Sequence, residues 1–422
     1  VAAYIPLLRN NRHFSRLWLA QVISLLGDWF DTIALSALVA RFTNGSGLAV
    51  SVLLVARFLP PFFVSPFAGV LVDRFNRKNL LIFTDVSRAI IVLGMLLASR
   101  PEHLWLIYLL TVLQFSISAI FEPARSAVLP SLVPAKDLLL ANTLSNVTWS
   151  AMLAVGAIIG GVVATVFGTS TALIIDSFTF ALSALLIWQI VYQQPVAKPE
   201  TTAARTSTHA RGGFREGLEY VRQHPSVAAV LLIKVGLSIG SIDALMVAYA
   251  TTLFIVGENG TGSLGIMYSA FGVGAVIGPL ILNRFNDGSV RTMRRLMIAS
   301  FGSVTLGWLL FGGAPTLFIA CLALMVRAVG GSTTWTYSST IIQMSVPNHF
   351  LGRVFSLDWA GFYLTITIST FATGVIIDRL GSANAHWVAL GTGVISLIPL
   401  ILWVLIVPWL ERQTPAPAPA GD

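Results

Sequence analysis

Twelve long apolar stretches, six on either side of a polar segment at 193–225, constrain this chain more than any other feature. They run over about 14–40, 47–73, 80–99, 104–128, 139–167, 170–192, 226–254, 262–284, 296–313, 316–346, 353–378 and 386–410. A bilayer core about 30 Å thick takes roughly 20 apolar residues per helical crossing, so each stretch is long enough. Only 10% of the 422 residues are charged and 55% are hydrophobic; a water-soluble domain carries charge on about a quarter of its residues. Lipid is the solvent that this composition fits. A β-barrel would need apolar and polar residues to alternate over about ten positions, and Ala151–Val166 does not alternate. The expected fold is all-α, with twelve transmembrane helices in two pseudo-symmetric six-helix bundles at 1–192 and 226–412. A cytoplasmic linker at 193–225 joins them, and a disordered tail occupies 413–422.

The net charge of +8 raises the question of a nucleic-acid partner, and the placement of the cations answers it. Nineteen of the 26 Lys and Arg residues fall in alternate exposed segments, on the side of both ends and the linker. Basic residues concentrate in cytoplasmic loops of membrane proteins, so both termini are expected in the cytoplasm and no nucleic acid is expected as partner. The basic start leads straight into a full-length stretch without the short apolar core of a cleavable leader, so the first helix is expected to serve as its own insertion signal. The one cysteine, Cys321, lies inside a stretch and is expected to pack there.

Short recurrences hint at an internal repeat. Arg-Phe-Asn occurs at 74–76 and 284–286, and Val-Pro-x-x-x-Leu at 133–138 and 346–351. Each pair sits at the same end of corresponding stretches, as parallel halves require.

Three segments carry a resemblance. Gly69-Val-Leu-Val-Asp73-Arg74-Phe-Asn76-Arg77-Lys78 resembles the loop 2–3 signature of the major facilitator superfamily. Asn76 replaces the usual glycine, and asparagine tolerates a left-handed turn better than most residues. Gly156-Ala-Ile-Ile-Gly160-Gly161 resembles the superfamily's antiporter motif, with Ala157 in place of proline; ordinary helix packing accounts for those glycines equally well. Phe121-Glu122-Pro123-Ala124-Arg125 through Pro134, with Gly27-Asp28, is similar to the branch holding the enterobactin exporter and macrolide-efflux proteins. The resemblance implies secondary transport by alternating access. It also implies a latch on the cytoplasmic side, in which Asp73 meets the start of helix 11 at Arg353. Small faces on helix 5 and on helix 8, at Gly272, Gly274 and Gly278, are expected to pack together.

Charges inside a bilayer cost about 2.5–3.5 kcal/mol each even on lenient scales, so they are candidates for function. Asp28 and Asp31 share one helix face, with Arg57 at similar depth, so Arg57 is expected to pair with one of them. Asp243 with Arg327, and Glu122 with Lys234, are further matches in depth. Asp28, Asp31, Arg57, Glu122, Asp243 and Arg327 are thus candidates for proton coupling, because a desolvated carboxylate holds its proton more tightly. The resemblance places helices 1, 4, 7 and 10 around a central cavity. Lys234, Trp335, Tyr337 and Trp149 are candidates for lining it, although the aromatics suit packing or a membrane-interface belt as well. Asp85 and Arg88 are expected to form a salt bridge at the membrane interface. Asp176 and Asp358 are expected near helix ends, wet or capping.

Scattered histidines, no metal-ligand spacing and no phosphate-cradling loop leave no enzyme signature and no expected cofactor. The expected protein is a monomeric, multi-pass transporter of the inner membrane, exporting an amphipathic drug, macrolide or siderophore-like molecule against protons. A carrier of lysophospholipids or other lipids on the same fold is the alternative, and a receptor or scaffold a distant third.

Overall fold

A computed structural model describes residues 4–134, 137–192 and 208–413, in which helices are joined by short turns and no strand occurs. Helix α1 (Tyr4–Asn10) precedes α2 (Arg12–Phe42), α3 (Gly47–Arg74), α4 (Arg77–Met95), α5 (Leu104–Leu132), α6 (Leu138–Phe167) and α7 (Thr169–Trp188). The linker segment holds α8 (Thr208–Gln223), after which come α9 (Pro225–Gly236), α10 (Ile242–Ala248), α11 (Thr261–Leu282) and α12 (Val290–Gly312). The chain finishes with α13 (Leu317–Ser345), α14 (Asn348–Leu380), α15 (Ala385–Ile395) and α16 (Leu397–Gln413). Nine helical stretches among the described residues are long and apolar enough to cross a membrane. Residues 193–207 of the linker and 414–422 of the tail lie outside the described residues. Helix α8 falls inside the segment expected as linker.

The stretch expected at 226–254 is not one helix. It breaks after α9, resumes as α10 and ends in a π-helical turn, Tyr249–Leu253. Gly240 turns the chain at φ +73°, a backbone conformation that favours glycine. Irregular backbone is tolerated at membrane depth only where protein satisfies it, and α14 supplies two hydroxyls here. The Ser241 amide donates to Thr373 Oγ1 at 3.1 Å, and Thr370 Oγ1 donates to Ser241 Oγ at 3.0 Å.

Packing sorts the helices into two groups. In the first, α2 lies against α6 and α7, α4 against α5 and α7, and α3 against α5; in the second, α12 lies against α13 and α15, and α11 against α13. Two helix pairs, α6 with α11 and α3 with α14, form the seam. Small residues allow it: a Cβ on Gly161 would come within 2.9 Å of Gly265 Cα, and one on Gly374 within 2.6 Å of Gly47 O. The recurrent Val-Pro segments fold alike, with Val133 and Val346 capping α5 and α13 in extended conformation and both buried.

The apolar core divides along the seam. One large cluster joins both groups, uniting Phe30, Leu38 and Ala157 with Met246, Tyr268 and Ile377. Nearer the termini, two separate clusters each belong to one group: Phe14, Leu17 and Leu129 in the first, Val230, Tyr337 and Trp403 in the second. The halves therefore share a core at the end far from the termini and keep separate cores at the near end.

Candidate functional site

Hydrogen bonds across the seam follow the same division. Among the described residues they lie in its far half: Arg41 Nη1 to Glu258 Oε1 at 3.1 Å, Thr165 with Thr261 at 2.8 Å, and Ser269 to the Ala154 carbonyl. The densest contact is at Asp378, near the end of α14. Its carboxylate accepts from the amides of Gly47 at 2.5 Å and Leu48 at 3.2 Å, and from Ser46 Oγ at 2.8 Å. The first-turn amides of a helix have no partner within it, and there a carboxylate also meets the positive end of the helix dipole. One helix thus caps another across the seam.

The residues expected to form the latch are described only in part. Gly69 and Asp73 fall on α3, but their surroundings lie outside the described residues. Arg353 pairs with Glu216 of α8 at 2.7 Å. Arg77 donates to the Ala127 carbonyl at 3.0 Å, within the first group, while Arg74 is exposed and Lys78 half-buried. Asn76 does not take a left-handed turn. At φ −64° it stands at the N-cap of α4 and accepts from the Asn79 amide, a position that suits asparagine for its side-chain oxygen.

Of the antiporter-like glycines, only Gly161 meets α11. Gly156 and Gly160 seat against Trp29 of α2. On α11, Gly272 faces Ala154 of α6, whereas Gly274 and Gly278 face Met325 and Val329 of α13.

Several expected charge pairs are replaced by others. Arg88 binds Asp85 directly and stands 4.0 Å from Asp28, with its guanidinium over Phe180 at 4.2 Å. The Asp85–Arg88 pair is wholly buried rather than interfacial, and Ser183 Oγ donates to Asp85 at 2.5 Å. Arg57 forms no ion pair with Asp28 or Asp31; it donates to Thr32 Oγ1 at 2.7 Å and lies over Phe115 at 4.6 Å. Asp31 is buried and accepts from Gln114 Nε2 at 2.9 Å, and its other oxygen is without a partner. Asp28 keeps 33% of its side chain exposed. Asp176, expected near a helix end and wet or capping, is fully buried inside α7.

In the second group, Lys234 pairs with Asp358 at 2.5 Å rather than with Glu122, and both are buried. Asp358 is the eleventh residue of α14, not an end. Lys234 also donates to Ser339 Oγ at 3.0 Å and sits 3.8 Å from the centre of the Trp335 ring. That ring packs edge-on against Trp359 and Phe362. Glu122 turns back to Arg125 at 2.8 Å, leaving 60% of its side chain exposed. Asp243 accepts from the Tyr268 hydroxyl at 2.8 Å, while Arg327 rests over Trp308 at 4.6 Å; no ion pair joins the two. Tyr337 is a core residue and Trp149 an exposed one.

Sequence reasoning set Asp176 and Asp358 aside as helix-end residues and missed Gln114 and Asp378. A signal existed for one of them: a lysine inside a stretch needs a counter-charge, and Asp358 is an acid of the neighbouring helix α14.

Comparison with known proteins agrees with this architecture. The family model described as transmembrane secretion effector matches residues 1–417. An uncharacterized MFS-type transporter, YfiS of Bacillus subtilis, is 27% identical over 93% of this chain and 94% of its own. Macrolide efflux protein A of Streptococcus pyogenes is 26% identical over 92% of this chain and 94% of its own. Among solved structures, a D323A mutant of the nucleoside transporter NupG superposes with a TM-score of 0.75 at 13% identity, covering 93% of this chain and 99% of that one. The chain therefore belongs to the major facilitator superfamily, in its transmembrane secretion effector family.

Proposed function

We propose that this transporter exports an amphipathic small molecule against protons by alternating access, with 1–192 and 226–412 rocking as two bodies. Both termini and the linker face the cytoplasm, and one chain suffices. Export is supported by the likeness to a macrolide efflux protein across nearly the whole chain. The observation that carries proton coupling is the pair Asp28 and Asp31. Asp31 is buried with one oxygen unpaired, and Asp28, one turn earlier, is partly open. A carboxyl that carries its proton is neutral and cheap to keep in a dry site, whereas the ionised form needs water or a cation. Arg88 beside Asp28, and Arg57 on the neighbouring turn of α3, supply that cation when the proton leaves. With the far end of the seam closed and the cores separate at the near end, the structure corresponds to a state opening towards the termini.

Full-length protein in vesicles, given a proton gradient, tests the reading with erythromycin as the macrolide probe. Wild-type protein is expected to concentrate erythromycin into the compartment that supplies the protons. Asp31→Asn is expected to lose that accumulation while binding erythromycin within a few-fold of wild type. Accumulation that ignores the gradient, or that survives both Asp28→Asn and Asp31→Asn, contradicts it.

A further inference from the structure

The first helix group buries more acids than bases. Among the described residues, Asp28 and Asp31 on α2, Asp85 on α4 and Asp176 on α7 face only Arg57 and Arg88, the Glu122–Arg125 pair being self-balanced. Four carboxylates against two guanidiniums leave two charges uncompensated, in a place where a single uncompensated charge is costly. Asp85 is settled by Arg88 and Ser183, and Asp31 and Asp28 have Gln114 and Arg88 as partners. Asp176 has least. Its side chain is 0% exposed, one oxygen has only the Thr179 hydroxyl at 3.4 Å, and the other has no partner.

The surroundings of Asp176 are charged on two sides. Helix α2 brings Asp28 and Asp31, helix α4 brings Arg88 and Asp85, and α6, the third helix packed on α7, has no charged residue along its length. Gly27 of α2 leaves the space the carboxyl fills, since a Cβ there would come within 2.3 Å of Asp176 Oδ1. The residue after it is the partly open Asp28, so a route from the exterior to Asp176 passes Asp28. Among the described residues no three carboxylate, histidine or cysteine side chains are grouped as a metal ion needs, whereas a proton needs only one carboxylate oxygen.

We propose that Asp176 is a second proton-carrying site, and that the cluster takes up two protons for each substrate molecule exported. One proton resides on the Asp28/Asp31 pair and the other on Asp176. Both enter from water on the side opposite the termini and return to water on the near side. The stoichiometry rests on the proton-coupled export proposed above; the protonation of Asp176 does not.

Two measurements separate them. Infrared difference spectroscopy of the purified full chain counts protonated carboxyl groups at neutral pH, without any transport. Wild-type protein should show a band that loses one carboxyl in Asp176→Asn and is unchanged in a Glu258→Gln control. An unchanged band in Asp176→Asn overturns the proposal. If that variant does not fold, wild-type protein with isotope-labelled aspartate gives the count directly: two protonated aspartates support the proposal, and one or none overturns it. In vesicles, the proton gradient that balances a given erythromycin gradient should correspond to two protons per erythromycin in wild type and one in Asp176→Asn. A ratio of one in wild type overturns the two-proton cycle. Absence of erythromycin transport, with the infrared band present, removes the export reading and leaves the Asp176 site standing.

Discussion

Lys234→Met is expected to destabilise the protein by about 3–5 kcal/mol, the range for removing one partner of a buried ion pair. The loss arises on Asp358, buried beside Lys234 and left without its cation. Trp335 loses a cation held 3.8 Å from its ring centre, a contact worth about 2 kcal/mol when desolvated, so the Trp335–Trp359–Phe362 cluster should loosen as well. Pairing Lys234→Met with Asp358→Leu removes the orphaned charge, and most of the stability is expected to return, because apolar replacement of a buried pair is often neutral or favourable. Thermal unfolding of the two variants in detergent checks this. Equal destabilisation of the single and double variants would show that the pair contributes packing rather than charge balance.

The second large effect is expected at Gly240. Alanine there meets two obstacles: the backbone is at φ +73°, which costs a non-glycine residue about 1–2 kcal/mol, and its Cβ would lie 2.3 Å from Thr392 Cγ2. Overpacking of that kind adds about 1–3 kcal/mol. Gly240→Ala should therefore lower stability by about 2–5 kcal/mol, and Thr392→Ala in the same protein should restore the packing share only. Complete rescue by Thr392→Ala would mean that the backbone turn is not strained. Because the break between α9 and α10 leans on Thr370 and Thr373 of α14, the variant should also disturb how these helices move together.

Much of the architecture is legible in the sequence because the bilayer leaves so few options. Long apolar runs must be helices, and Val133 and Val346 mark equivalent helix ends in both halves. The break at Gly240 is not legible in the same way: glycine is frequent in membrane helices, and it is the backbone, at φ +73°, that reveals this one as a turn. Charges are easy to find and hard to pair. Depth along the stretches puts Arg57 level with Asp28, yet rotation about the helix axis decides the partner, and Arg88 of α4 is the cation beside Asp28. Asp358 looks terminal when helix 11 is taken to begin at 353; the helix begins at Asn348, which moves the acid a further turn into the bundle. Asn76 illustrates the limit for motifs: the residue that stands in for a glycine serves as a helix cap.

Alternating access is tested most directly by two distances followed together. One pair of spin labels, Asn44→Cys with Arg379→Cys, spans the far end of the seam beside the Asp378 cap. The other, Asn79→Cys with Ser345→Cys, spans the near end, with Cys321 replaced by serine in both proteins. Moving from mildly alkaline to mildly acidic buffer should protonate the buried cluster and shift the population, so that the far-end and near-end distances change in opposite directions. Distances that change in the same direction, or that both stay fixed across this range and on addition of erythromycin, would contradict alternating access.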